Sequence, residues 1–250
     1  MSSLFHNFLY LPLLNLLFFI YDFIASDLGI AIIILTIIIR FVLLPLFYKG
    51  AKDQTIIQRL APKIREIQQT HKDDKQEQTK KMLALYKEHK VNPFSSIGLL
   101  LLQLPILWAL YRVFLGGFSA TVLSELYSFI PQPAVVNYHF LGIIALQDKN
   151  FILVLIAAVF QFLQTYFLMK VSATKMPTVP DDNPAMAMAQ KMSKRMMYFA
   201  PLLTLLILSG LPSAIALYWL TTSAFSTVQQ LVINKKIKSN DQQRINTSGN

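Results

Sequence analysis

Cysteine is absent from all 250 residues. That excludes a disulfide framework, thiolate metal sites, a thiol nucleophile and a lipid-modified N-terminal cysteine. Acidic residues are scarce, 13 Asp and Glu against 23 Lys and Arg, and none lies in a long apolar run. A carboxylate proton relay and an aspartyl or rhomboid-like intramembrane protease therefore do not fit. Four scattered histidines form no HExxH or other metal-ligand cluster, and no glycine-rich phosphate loop is present. The chain reads as a non-enzyme with no cofactor and no metal. No Lys or Arg precedes Arg40, so a secretory signal peptide or an Arg-rich transit peptide is not expected.

What the chain has instead is apolar length. It is 54% hydrophobic with a mean hydropathy of +0.46. A run of about 18 apolar residues crosses a hydrocarbon core of ~30 Å as a helix. Residues 29–47, 97–114, 151–169 and 212–233 meet that length, and 196–211 form a shorter fifth run.

The charge pattern gives an orientation. The net charge is +10, yet eleven of the basic residues lie in 49–90, five in 170–195 and four in 235–244. Five spans put these three segments on one side, and the positive-inside rule makes that side cytoplasmic. The N-terminus is then outside and the C-terminus inside. A bulk affinity for nucleic acid would not alternate in this way, and no specific nucleic-acid sequence is implied. Residues 1–27 are read as an amphipathic helix on the outer surface, because Asn7, Asn15 and Asp22 recur near one helical face. An additional span is the alternative.

The segments then order themselves as a first transmembrane helix in 28–48, a cytoplasmic helical hairpin in 49–93, a membrane core with four further spans in 94–234, and a basic, disordered cytoplasmic tail in 235–250. Within the hairpin Ile57, Leu60, Ile64 and Ile67 repeat at helical spacing. Pro62 is expected to kink the first arm, and Asn92-Pro93 to stop the second.

Arg40 is the most informative residue. It sits in Ile37-Ile38-Ile39-Arg40-Phe41-Val42, with no acidic residue in any span to neutralise it. Mid-helix arginine costs roughly 2.5–3.5 kcal/mol, so such residues face a wet cavity or a partner. Snorkelling to the cytoplasmic headgroups is the alternative. Gln103, Gln161, Gln164, Thr222 and Ser226, with Trp219 nearby, offer polar groups from other spans. Taken singly each suits a helix-packing hydrogen bond; as a set with Arg40 they suit a shared hydrophilic groove. Met192 and Met196 lie in a methionine-rich stretch that fits either an adaptable binding surface or packing on lipid.

Several blocks resemble the YidC-type membrane protein insertases. They are Leu35-Thr36-Ile37-Ile38-Ile39-Arg40-Phe41-Val42-Leu43-Leu44-Pro45-Leu46, the hairpin end Leu85-Tyr86-Lys87-Glu88-His89-Lys90-Val91-Asn92-Pro93-Phe94, Gln103-Leu104-Pro105-Ile106, Leu110-Tyr111-Arg112, and Leu217-Tyr218-Trp219 followed by Gln229-Gln230. The resemblance is to the short form without a large outer domain, and the missing cysteine departs from its lipoprotein members. It implies an all-α integral membrane protein with five transmembrane helices around a cytoplasm-open hydrophilic groove, plus a cytoplasmic helical hairpin. Arg40 matches the groove arginine, Gln164 the third-span glutamine and Trp219 the fifth-span aromatic. The hairpin, with Tyr86, is similar to the region that receives substrates. Nascent membrane proteins and the lipid bilayer are the implied partners, with the ribosome and the Sec translocon as open additions. Two other functions stay in view: a scaffold that assembles membrane complexes without inserting them, and a small anion transporter. The latter is weakened by the lack of an internal repeat.

Overall fold

The computed structural model describes residues 3–115, 119–133, 135–173 and 198–248. Among them the chain is almost wholly helical. Helix α1 (Ser3–Ala25) contains two π-helical stretches, His6–Tyr10 and Tyr21–Ala25. It ends at Ser26, which takes a left-handed φ of 49°. Asp27 then caps α2 (Leu28–Val42) by accepting from the Ile30 N–H at 3.0 Å. The further elements are α3 (Leu44–Thr70), α4 (Lys75–Glu88), α5 (Ser95–Leu115), α6 (Ala120–Leu123), a small hairpin of β1 (His139–Phe140) and β2 (Ile144–Ala145), α7 (Phe151–Ala173), α8 (Tyr198–Leu208) and α9 (Ser213–Ser248).

The expected first span is broken. At Leu43 the chain turns by 70°, and α3 starts with Pro45 in its first turn. Proline has no N–H to donate and its ring crowds the carbonyl four residues back, so α2 cannot continue through it. Pro62 does not end its helix, since α3 runs unbroken past it to Thr70. The 70° break thus falls at the Leu43–Pro45 corner, ahead of Pro62. A second correction concerns the basic tail, which is helical through Ser248 as the continuation of α9 rather than disordered.

By length and hydropathy α1 and Phe151–Met169 of α7 can each cross a membrane, and α2 with α3 makes a third candidate if the bent pair is one span. The apolar stretches Leu101–Phe114 and Tyr198–Leu208 are shorter. The polar residues of α1 differ in exposure: Asn7 is exposed and Asp22 half-buried. Asn15 is buried, and its Oδ1 accepts from the Tyr127 N–H. Phe8, Phe23 and Ile24 point outward instead. The inward face of α1 is mainly apolar, with Leu14, Leu17, Phe18 and Ile20 buried beside Asn15.

One core joins Leu14, Leu17 and Phe18 of α1 to Ile32 and Leu35 of α2, Leu110 and Val113 of α5, Val154 and Ala157 of α7, and Ile215 of α9. It lies toward the end of the bundle that carries the β-hairpin, away from α3 and α4. The β1–β2 turn uses Leu141 and Gly142, both at positive φ, and Phe140 packs so closely on Gly29 that a β-carbon there would collide with its ring. A separate small core of Leu60, Leu85 and Val91 holds α3 and α4 together, with Ile57, Ile64 and Ile67 against it. The helical spacing of those isoleucines is what puts them on one face.

Candidate functional site: a buried arginine at a helix corner

Arg40 lies in the last turn of α2, just before the corner. It is 6% exposed. Its guanidinium carbon sits 4.3 Å from the centroid of the Phe47 ring, on the first turns of α3. Two features favour a cation here. The free carbonyls at a helix C-terminus contribute about 0.3–1 kcal/mol, and a desolvated cation–π contact up to about 2 kcal/mol. Among the described residues no carboxylate pairs with Arg40 and no acceptor takes a hydrogen bond from it, yet none of its nitrogens is sealed from solvent. The Arg40 side chain is thus deep in the protein with its donors unsatisfied among the described residues.

Around it the structure gathers part of the expected set. Tyr218 of α9 is 2% exposed and interacts with the Arg40 charge. Its hydroxyl accepts a hydrogen bond from Gln103 Nε2 on α5, and Thr222, one turn on, adjoins the same hydroxyl. Arg40, Gln103 and Thr222 are thus linked through Tyr218, which the sequence reading left out of the groove set. The signal was present: tyrosine in mid-span needs a partner for its hydroxyl, and Gln103 is one of few side chains able to supply it.

Gln161 has a different place. Its Oε1 accepts from Ser223 Oγ at 3.1 Å, within a polar seam between α7 and α9. Along the same seam Thr227 Oγ1 donates to the Phe160 carbonyl at 3.3 Å and Asn234 Nδ2 to the Phe167 carbonyl at 2.8 Å. Gln230 Nε2 extends it to α3, donating to Thr55 Oγ1 at 2.9 Å. Gln164 and Ser226 are half-buried and make no hydrogen bond among the described residues. Trp219 is half-buried against the core, with its indole N–H sealed and without an acceptor.

At the other end Tyr86 packs against the small core of the α3–α4 hairpin. Burial pushes its phenol pKa up from the usual value. Asp53, missed in the sequence, is buried on α3 and accepts from Ser95 Oγ at 2.7 Å and the Asn92 N–H at 3.5 Å. It fastens the hairpin to the start of α5. Gly50 does the same by closeness, since a β-carbon there would collide with Leu99. Met192 and Met196 lie outside the described residues. No group of three or more potential metal ligands occurs among the described residues.

Apolar helices around a buried arginine, with a polar helical hairpin at one end, define an all-helical membrane protein. The chain belongs to the family described as 60Kd inner membrane protein, which it matches over residues 19–241. It is 34% identical over 212 residues to the membrane protein insertase YidC of Fusobacterium nucleatum, covering 85% of this chain and 88% of that one. It is 32% identical over 228 residues to the protein of the same name from Wolinella succinogenes, and 32% identical over 224 residues to that of Helicobacter pylori. The match covers 91% and 90% of this chain but only 37% and 36% of those two longer relatives.

Proposed function

We propose that the chain is a membrane protein insertase and chaperone. In this reading it has five spans, α2, α5, α7, α8 and the first part of α9, with the N-terminus outside and the hairpin and tail in the cytoplasm. The helix α1 lies against the outer end with its apolar side in lipid. A hydrophilic groove opens from the Arg40 corner to the cytoplasm and the lipid. A nascent membrane protein's short polar tail enters it, and Arg40 lowers the desolvation cost of acidic groups in that tail. The apolar segment then passes along α5, α7 and α9 into the bilayer.

The driving force is burial of the substrate in lipid, helped by the membrane potential at about 2.3 kcal/mol per charge per 100 mV. No nucleotide is required. The short α8 stretch favours local bilayer thinning, which shortens the polar transit. The hairpin receives substrates, with a ribosome or the Sec translocon as further partners. The single observation that carries the reading is a buried arginine with open donors and no carboxylate beside it.

The test is reconstitution of the full chain with a small single-span substrate in two versions, one with an acidic tail and one with a neutral tail. Arg40→Ala is expected to slow the acidic version about tenfold and spare the neutral one. Equal insertion of both by the variant would remove Arg40 from the mechanism. A photo-cross-linker at Gln164 should capture the nascent tail. Failure to cross-link any nascent chain, with normal assembly of membrane complexes, would favour the non-inserting scaffold, to which the satisfied α7–α9 seam is equally suited.

A further inference from the structure

At the end of the bundle opposite the hairpin, two hollows of opposite character lie side by side. The first is a groove of about 730 Å³ lined by Phe5, Leu104, Trp108, Tyr111, Leu211 and Ile215. Its wall is almost wholly apolar, and Trp108 is 53% exposed along it. The second, of about 450 Å³, is polar and bordered by His6, Tyr10, Arg112, Ser119, Thr121 and Glu125. Phe5 and His6 are consecutive, as are Tyr111 and Arg112, so the two hollows border the same stretches of α1 and α5.

The charges in the polar hollow are of both signs. The Arg112 guanidinium carbon lies 5.7 Å from the Tyr10 ring centroid, and the field of Glu125 also reaches Tyr10. One Glu125 carboxylate oxygen is sealed from water and has no donor. The other makes no hydrogen bond or ion pair among the described residues. A carboxylate half withdrawn from water without a counter-ion is an uncompensated charge, and the group that compensates it best is an ammonium with N–H donors. A cation and an unpaired anion about one aromatic ring, opening into a long apolar trough, match one kind of molecule.

We propose that this end of the protein holds a phospholipid whose headgroup carries a primary amine. Its phosphate lies toward Arg112, its ammonium toward Glu125, and one acyl chain fills the groove along α5. A quaternary choline headgroup has no N–H to give Glu125, and a glycerol headgroup has no positive charge. The site therefore prefers phosphatidylethanolamine over phosphatidylcholine and phosphatidylglycerol with the same acyl chains. This inference does not rest on the insertase reading, because it concerns neither Arg40 nor a polypeptide substrate.

The experiment is native mass spectrometry of the full chain released from micelles that contain equimolar phosphatidylethanolamine and phosphatidylcholine of identical chains. The wild type is expected to retain the ethanolamine lipid about tenfold better, the scale of one charge-assisted hydrogen bond. Glu125→Gln should erase that preference, and Trp108→Ala should weaken retention of both lipids while leaving the preference in place. Melting curves in phosphatidylcholine nanodiscs, unchanged between wild type and Glu125→Gln, would show that the variant folds. Equal retention of the two lipids by the wild type, or a preference that survives Glu125→Gln, overturns the proposal. So does displacement of both lipids by an apolar helical peptide with no headgroup dependence, which would assign the groove to a polypeptide.

Discussion

The α7–α9 seam and the Arg40 corner both place polar side chains inside an apolar bundle, and they use them in opposite ways. In the seam the interhelical donors find acceptors within the protein: Ser223 on Gln161, Thr227 on the Phe160 carbonyl, Asn234 on the Phe167 carbonyl and Gln230 on Thr55. At the corner the strongest donor of all is left without an acceptor among the described residues. A satisfied polar group in a membrane protein is glue, worth about 0.6 kcal/mol on average. An unsatisfied buried cation destabilises the fold and is retained where something else supplies its acceptor. Polarity alone does not separate the two roles; the partner does.

The largest effect that would sharpen this contrast is at Arg40. Arg40→Glu is expected to reduce insertion of an acidic-tailed substrate by on the order of a hundredfold, because it reverses an interaction of roughly 2.5–3.5 kcal/mol scale. Arg40→Leu should lower the same rate yet raise thermal stability in detergent, as a desolvated charge is removed. A fall in stability with Arg40→Leu would mean that the corner is glue after all. Next comes Gly50→Leu, which forces a side chain into Leu99 where α3 crosses α5. We expect a loss of about 1–3 kcal/mol from overpacking, read as a lower melting temperature, and a hairpin more open to protease.

Ser223→Ala removes the donor to Gln161 and should cost about 0.6 kcal/mol by denaturant titration. Insertion by this variant should stay within twofold of wild type once stability is matched; a larger defect would move the seam into the substrate path. The smallest effect is at Tyr86. Its folded-state pKa is raised by burial, so the stability it contributes is complete below the unfolded value of about 10 and declines as pH rises through the higher folded value. Hydrogen exchange in α4 should therefore quicken above about pH 10 in the wild type, with less change in Tyr86→Phe.

How far the sequence could be read depended on how local each cause is. The apolar runs and the isoleucine face of α3 are local, and α5, α7 and the α3–α4 hairpin follow them closely. The corner is local too, in Pro45, but that proline lies inside an unbroken apolar run and was outranked by Pro62 in a polar one. The seam was illegible because Gln230 finds Thr55 across 175 positions, and only the packed bundle brings them together. Asp53 was not singled out, because its partners Asn92 and Ser95 lie about forty positions away, at the start of another helix. The tail is helical through Ser248 because it continues α9 without a break, although its polar composition taken by itself suggests disorder.

The elbow at Leu43 has a mechanical meaning. Arg40 rides on α2, while Phe47, the ring that covers its guanidinium, rides on an arm of 27 residues reaching about 40 Å. The cation and its aromatic cover thus belong to separate rods joined at one pivot. Any load that tilts the far tip of the arm slides the ring across the charge, so the angle of the arm sets how dry the arginine is.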